Sequence, residues 1–127
     1  MKKSNIYLVL LVFGLLFNAC TYDFIAPVVV APIDPNVDVS FSTQITPIFT
    51  AKCISCHKTG GQAPDLTAAN AYNSIMTMQL ANTASPATSV IYVHPNPANT
   101  ASHTWQKYSA AEAQLVLTWI QQGAKNN

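Results

Sequence analysis

Residues 53–57 read Cys53-Ile54-Ser55-Cys56-His57, so that two thiols separated by two residues are followed at once by an imidazole. Two cysteines at this spacing lie close together on one turn of helix, where both can form thioethers with the two vinyl groups of one porphyrin. The adjacent histidine then lies under the macrocycle and can bind the iron from the proximal side. The segment therefore predicts one covalent haem c attached through Cys53 and Cys56, with His57 as an iron ligand.

Two other interpretations of these cysteines remain open. Thiol–disulfide exchange is usual in a thioredoxin-like strand–helix context, whereas here an amphipathic helical pattern precedes Cys53. Zinc binding by both cysteines and two histidines leaves the position of His57 unexplained, and His94 and His103 are spaced more widely than zinc-site histidines usually are. Both of these interpretations predict a colourless protein.

The composition limits the size and the class of the protein. A chain of 127 residues has room for one domain and little more. Half of the residues are hydrophobic and only 9 % are charged. The formal net charge of +1 gives no basic field that would attract nucleic acid, and we predict no nucleic-acid partner.

The N-terminal segment is typical of export from the cytoplasm. Lys2 and Lys3 precede an apolar run over residues 6–17, which is too short for an ordinary transmembrane helix, and Ala19 precedes Cys20. This arrangement resembles a bacterial lipoprotein signal, which implies a signal peptide over residues 1–19 and lipidation of Cys20. An ordinary secretory signal or an uncleaved anchor are the alternatives, and all three lead to an extracytoplasmic place in the bacterial cell envelope.

Prolines divide the segment that follows the predicted signal. Pro27, Pro32 and Pro35 alternate with short apolar runs, and this pattern disfavours both a helix and a central strand. We therefore expect residues 20–40 to form an extended tether with the lipidated cysteine at its start. Residues 41–127 form the predicted folded domain.

Helical patterns begin and end this predicted domain. Ser42 is placed to cap a helix that begins near residue 43 or 44 and runs into residue 53. Thr67 is placed to cap a second helix over residues 68–80. The run at residues 109–112 has the form of a capping box that opens the last helix, Trp119 is expected in the core, and Gly123 ends that helix. Residues 89–93 are rich in β-branched side chains and predict a short extended segment.

Residues 48–66, taken with the C-terminal helix, resemble a small monohaem class I cytochrome c, especially the short haem domains of bacterial envelope lipoproteins. The resemblance implies an all-α fold, a small helical domain wrapped around one covalent haem after the extended tether. In that family a proline shortly after the cysteine motif offers its backbone carbonyl to the N–H of the proximal imidazole. Pro64 stands at the matching position.

The sequence leaves more than one residue open as the second axial ligand of the iron. The family usually supplies a methionine from the loop before the last helix, but residues 95–108 contain none, and His103 stands there instead. Imidazole is a competent iron ligand. The alternatives are His94, Met76, Met78 and an open or water-bound site. His94 precedes a proline, so its backbone is expected to be extended.

These observations predict a carrier of single electrons and not an enzyme. The expected function is electron transfer by a membrane-anchored monohaem cytochrome, alone or as the haem subunit of a larger respiratory or envelope complex, with redox proteins as partners. The acidic residues are scattered and form no paired-carboxylate site, and no nucleophile motif or phosphate loop is present. The alternative is a haem protein with an open distal site that acts in ligand sensing or peroxide chemistry.

Overall fold

The computed structural model describes residues 33–34 and 36–127, and every regular element in these ranges is helical. A π-helical turn, Phe41–Ile45, runs directly into α1, Thr46–Lys52. Helix α2 is Ala71–Thr77, a 3-10 turn follows at Pro86–Thr88, α3 is Val90–Val93, and α4 is Ala110–Gln121. The predicted all-α fold is therefore confirmed. No helix in the described ranges has the length and apolar character needed to cross a bilayer.

The first helical segment begins earlier than the sequence predicted. Ser40, and not Ser42, is the N-cap, and its hydroxyl accepts a hydrogen bond from the N–H of Thr43 at 3.3 Å. The side-chain oxygen of Gln44 accepts from the N–H of Ser40 at 2.8 Å, so that both the N–H and the hydroxyl of Ser40 take part in capping this end. Pro47 lies in the first turn of α1, where its missing N–H costs no helical bond.

The core forms where the π-helical turn contacts α4. Trp119, Phe49 and Ile45 are fully buried, and the indole N–H of Trp119 donates to the carbonyl of Lys125 at 2.8 Å. The ring of Phe41 lies 5.1 Å from that of Trp119 and 5.3 Å from that of Tyr72, the latter in an edge-on arrangement. Such aromatic contacts stabilise the fold beyond the burial of their area. Trp119 is thus a core residue, as predicted.

Helix α4 has the predicted boundaries and the predicted cap. The hydroxyl of Ser109 accepts from the N–H of Glu112 at 3.3 Å, and a carboxylate oxygen of Glu112 accepts from the N–H of Ser109 at 2.6 Å. Both bonds of a capping box are present. Gly123, with a φ of +97°, follows the end of the helix in a conformation that glycine adopts without strain.

Helix α2 is shorter than predicted, because Thr67 does not cap it. The backbone N–H and the hydroxyl of Thr67 both donate to Asp65, at 3.0 and 2.6 Å, and residues 67–70 form a turn. The N-cap of α2 is Asn70, and its side chain makes no capping bond. At the other end Gln79 has a φ of +54°, which stops the helix before residue 80.

The prediction of an extended segment at residues 89–93 was wrong, because Val90–Val93 is a single helical turn. Ser89, almost fully buried, accepts from the N–H of Asn82 at 2.8 Å, and the N–H of Ile91 donates to the carbonyl of Leu80 at 3.1 Å. These tertiary contacts fix the segment in the helical form. The β propensity of valine and isoleucine decides little where no neighbouring strand is present to pair with.

Residues just before the predicted domain also contact it. Val39 is buried in the core, and its N–H donates to the side-chain oxygen of Gln122 at 2.7 Å. The side-chain nitrogen of Gln122 donates in turn to the carbonyl of Val37 at 3.0 Å. The chain therefore enters the domain along the end of α4. Cys20 and the predicted signal over residues 1–19 lie outside the described residues, and the domain boundaries stay a prediction.

Candidate functional site

A cavity of about 560 Å³ lies between the end of α1 and the loop that precedes α4. The cysteine motif forms one wall, and the loop with His103 forms the opposite wall. This volume is in the usual range for a bound organic cofactor. Residues that line the cavity and enter the argument below are Lys52, Cys53, Cys56, His57, Pro64, Met78, His94, His103, Trp105 and Lys107.

The two cysteines lie on helical turns that continue from α1. Cys53 is the C-cap of α1, and its N–H donates to the carbonyl of Phe49 at 2.8 Å. The N–H groups of Cys56 and His57 both donate to the carbonyl of Cys53, at 3.2 and 2.9 Å, which holds the motif in one compact turn. Both thiols are free. Cys53 is half-buried against the core, and burial raises the pKa of its thiol to about 11, whereas Cys56 is exposed.

The imidazole of His57 is oriented by Pro64. Its Nδ1 lies 3.1 Å from the Pro64 carbonyl oxygen, which accepts the N–H when the proton is on Nδ1. A hydrogen bond of this kind fixes the tautomer and leaves Nε2 with a lone pair for a metal ion. It also increases the electron donation of the ring to a bound metal.

The loop that carries Pro64 is held by Asp65. Its carboxylate accepts from the hydroxyls of Thr59 and Thr67, both at 2.6 Å, and from the side-chain amide of Asn70 at 2.8 Å. The hydrogen bond from Thr59, followed by those from Thr67, holds the pKa of Asp65 far below its usual range. Within the same loop the backbone at Gly61 lies close to the carbonyl of Cys56.

His103 faces His57 across the cavity. The two ring centres are 5.9 Å apart and the ring planes are 27° apart. A separation of this size leaves room for one metal ion between two imidazole nitrogens, because each metal–nitrogen bond is about 2 Å long. The buried Nδ1 of His103 has no hydrogen-bond partner among the described residues. Burial, and then the neighbouring charges of His57, His94 and Lys107, lower the pKa of His103 and favour the neutral imidazole that binds metals.

The sequence model of the family described as Cytochrome c matches residues 45–124, which is well over half of the chain. The chain belongs to the cytochrome c family. No similar sequence was found among curated proteins, and no similar chain was found among solved structures. Membership of the family supports haem-based electron transfer with covalently bound haem c, which is the role of an electron carrier. Domains of this family are usually extracytoplasmic.

The residues around the cavity of this cytochrome c domain fit such a haem. Two free thiols lie on one turn at its edge, one imidazole has its Nδ1 hydrogen-bonded and its Nε2 available, and a second imidazole with an unpartnered buried nitrogen lies opposite. A thiol adds to each vinyl group, and neutral imidazoles suit iron. In the described part of the chain, no group of three or more histidine, cysteine or acidic side chains is arranged to hold a bare metal ion.

The other residues considered as distal ligands lie in different surroundings. His94 lines the cavity with its ring centre 6.3 Å from that of His103, but it is exposed. Its backbone is helical, with φ of −65° and ψ of −49°, so the expected extended geometry before Pro95 was wrong. Met78 lines the cavity and is half exposed, whereas Met76 packs against the hydrophobic core.

Two lysines at this site were missed in the sequence. The ammonium of Lys52 donates to a carboxylate oxygen of Glu112 at 2.5 Å and to the carbonyl of Lys107 at 3.2 Å. The ammonium of Lys107 lies inside the loop that carries His103 and bonds to its backbone carbonyls. Sequence patterns give no signal for a lysine that binds carbonyls, because its partners depend on how the loop is folded. The one signal in the sequence that could have placed Lys52 at the site is its position directly before Cys53.

Proposed function

We propose that this cytochrome c carries single electrons while anchored to a membrane, with one haem attached through Cys53 and Cys56. The observation that carries the proposal is the arrangement of His57, whose Nδ1 is held by the Pro64 carbonyl at 3.1 Å while its ring faces His103 across the cavity. When bound, the haem supplies the one-electron Fe(III)/Fe(II) couple. The protein attaches the haem, holds both axial imidazoles in place and excludes most of the water from one face.

His103 is the proposed distal ligand. Its ring lies opposite His57, its neutral form is favoured, and its Nδ1 needs a partner that the described residues do not supply. Met76 packs against the core, and Met78 and His94 are exposed to solvent where they line the cavity. A pair of imidazoles stabilises ferric iron more than imidazole with thioether does, so we expect a lower reduction potential than that of a His/Met cytochrome c.

The proposed anchor is a lipid on Cys20, after cleavage of residues 1–19. These residues lie outside the described ranges, and support comes from the sequence: a positive start, a short apolar run and a small residue before the cysteine. An extracytoplasmic place agrees with the usual location of cytochrome c domains. We expect redox proteins as partners, either transiently or within a larger envelope complex in which this chain is the haem subunit.

Absorption spectra test the haem and its ligands. Protein with Cys20→Ser, exported by a foreign signal together with a haem-maturation system, should carry covalent low-spin haem in both oxidation states. His103→Ala should convert it to a high-spin form that binds carbon monoxide when reduced, while His94→Ala and the Met76→Ala/Met78→Ala pair should leave it low-spin. A colourless parent contradicts the haem site. A parent that is already high-spin contradicts the carrier and favours a ligand-binding or peroxide-reactive haem protein.

Membrane anchoring needs a separate experiment. Cells that express the full chain are given a labelled fatty acid, and the purified protein is examined by mass spectrometry. We expect the label on Cys20 of the parent, with the chain cleaved after residue 19, and no label on the Cys20→Ser variant. A parent that carries no label would contradict the lipid anchor and leave the electron-transfer proposal unchanged.

A further inference from the structure

Lys107 is placed inside the loop that carries His103. Its ammonium donates to the carbonyl of Asn96 at 3.2 Å, to that of Ser102 at 2.8 Å and to that of Asn99. An ammonium has three N–H donors, and three backbone carbonyls take them here. Neither of the ion pairs in the described ranges includes Lys107. The partners of its positive charge are the carbonyl dipoles of the loop itself.

One of these carbonyls directly affects His103. The carbonyl of Ser102 belongs to the peptide bond that leads into His103, so Lys107 fixes the orientation of that peptide plane. His103 itself has a φ of +49°, in the left-handed region that side chains disfavour. A residue stays in this region only where its surroundings hold it there. The hydrogen bond from Lys107 to the Ser102 carbonyl helps to hold His103 in this region, because it fixes the peptide bond that precedes His103.

Other hydrogen bonds close the two ends of the loop and form short turns within it, such as those from the N–H of Asn99 to the carbonyl of Asn96 at 3.0 Å and from the N–H of Gln106 to that of His103 at 3.1 Å. The N–H of Tyr108 donates to the carbonyl of Pro95 at 2.9 Å, and the hydroxyl of Ser102 donates to the carbonyl of His94 at 2.9 Å. The carbonyls inside the loop converge on the Lys107 ammonium. Without that charge, the Asn99 and Ser102 carbonyls would have no donor among the described residues, the Asn96 carbonyl would keep only the N–H of Asn99, and the loop would have to rearrange.

We propose that Lys107 is a positioning residue for the distal ligand: by holding the Asn96, Asn99 and Ser102 carbonyls, it keeps the His103 imidazole opposite His57. The inference rests on the proposed role of His103 and deepens it. Lys107 does not touch the haem iron. It affects the rate at which the His103 imidazole dissociates from the iron, because a loop that is fixed around the ammonium leaves His103 few other positions.

Ligand exchange on the haem-loaded protein tests this role. Lys107→Met keeps the length of the side chain and removes every donor, and Lys125→Met is the matched control, since Lys125 pairs with Asp38 in an exposed ion pair. We expect added imidazole to replace the distal ligand about tenfold faster in Lys107→Met than in the parent, as the loss of charged hydrogen bonds implies. The control should differ little from the parent. Hydrogen exchange at the Gln106 amide, which donates to the His103 carbonyl at 3.1 Å, should be faster only in Lys107→Met.

The remaining outcomes are distinguishable. If His103→Ala turns the haem high-spin while Lys107→Met exchanges its ligand at the parent rate, the positioning role is overturned and the ligand assignment stands. If His103→Ala leaves the spectrum unchanged, the ligand assignment fails and the positioning role with it. Should Lys107→Met not accumulate as folded protein, Lys107→Arg decides. The donors of its planar guanidinium are spread over three nitrogens, so arginine cannot bind three carbonyls that converge on one atom. Ligand exchange at the parent rate in Lys107→Arg therefore also overturns the proposal.

Discussion

The ammonium of Lys52 lies 2.5 Å from a carboxylate oxygen of Glu112, and this ion pair joins the last residue of α1 to the first turn of α4. Both side chains are about three-quarters buried, with exposed fractions of 26 % and 24 %. The same carboxylate closes the capping box of α4. The residue immediately before the first haem-attachment cysteine is therefore fixed to the helix that completes the core.

Replacing Glu112 by glutamine tests the contribution of this ion pair to stability. Glutamine can still close the capping box, so the change removes mainly the charge. We expect the free energy of unfolding to fall by about 0.5–1 kcal/mol, the upper part of the range for partly exposed pairs. Urea unfolding at pH 7 measures it. Asp38→Asn, which breaks the more exposed pair with Lys125, should cost less, and an equal loss in both variants would contradict the prediction.

The same pair predicts a dependence of stability on pH. Burial acts to raise the pKa of Glu112, but hydrogen bonds from Lys52 and Ser109 outweigh it and hold the pKa below its ordinary value of 4.5. A lowered pKa in the folded state means that the stabilisation is complete above about pH 4.5 and is lost as the pH falls through the lowered value. The difference in unfolding free energy between the parent and Glu112→Gln should therefore be constant from about pH 7 to 5 and shrink below. A difference that persists undiminished at about pH 2 contradicts this account.

Gly61→Ala should strain the haem motif. A Cβ at this position would lie 2.4 Å from the carbonyl oxygen of Cys56 and 3.0 Å from that of Lys58, and both are backbone atoms that cannot move alone. We expect a loss of about 2 kcal/mol in the free energy of unfolding and a lower yield of covalently attached haem, because Cys56 must shift.

Gly60→Ala is the matched control for that change. Its Cβ would meet nothing within 4 Å, but its φ of +74° disfavours a side chain. We expect a cost of about 1 kcal/mol with the haem yield retained. Absorbance at the haem band per mole of protein, with urea unfolding of the same samples, gives both quantities. Equal haem yields for the two variants would count against the contact at Gly61.

Thr59→Val should alter the haem potential from a distance. The change removes the 2.6 Å hydrogen bond to Asp65 without changing the charge, and it loosens the loop that carries the Pro64 carbonyl. A weaker bond to His57 Nδ1 makes the imidazole a poorer donor to ferric iron, so the reduction potential should rise. Spectroelectrochemical titration measures it. Asp65→Asn should shift it in the same direction, and a fall in both variants would contradict the proposed path through Pro64.

Local sequence signals predicted the parts of the fold that local chemistry determines. The capping box at Ser109 and the stop at Gly123 depend on residues close in the chain, and both are where the sequence indicated. Trp119 was identified as core from its place on an apolar helical face. The cysteine motif predicted covalent haem because two thiols at this spacing lie on one turn of helix, and the match to the cytochrome c family agrees with that prediction.

The remaining features depend on contacts between distant segments. Residues 90–93 have strand-like side chains, but the hydrogen bonds of Ser89 with Asn82 hold them in a helical turn. Thr67 has the chemistry of a helix cap and is instead bound to Asp65. The position of Ser40 as N-cap and the role of Lys107 were likewise not predictable, since the partners of each are chosen by the folded chain.

The hydrogen bonds of the Lys107 ammonium all fall within residues 96–107, and the Tyr108 N–H closes that stretch on Pro95. The distal wall of the cavity is thus held largely by its own hydrogen bonds, and the Asn99 amide and the Ser102 hydroxyl tie it to the carbonyls of Val93 and His94 at the end of α3. Under the proposed ligation by His103, substitutions within this loop would exchange or remove one iron ligand, and they lie outside the core formed by Trp119 and Phe49. We therefore expect variants of this one loop to differ in haem potential while they share the same helical core.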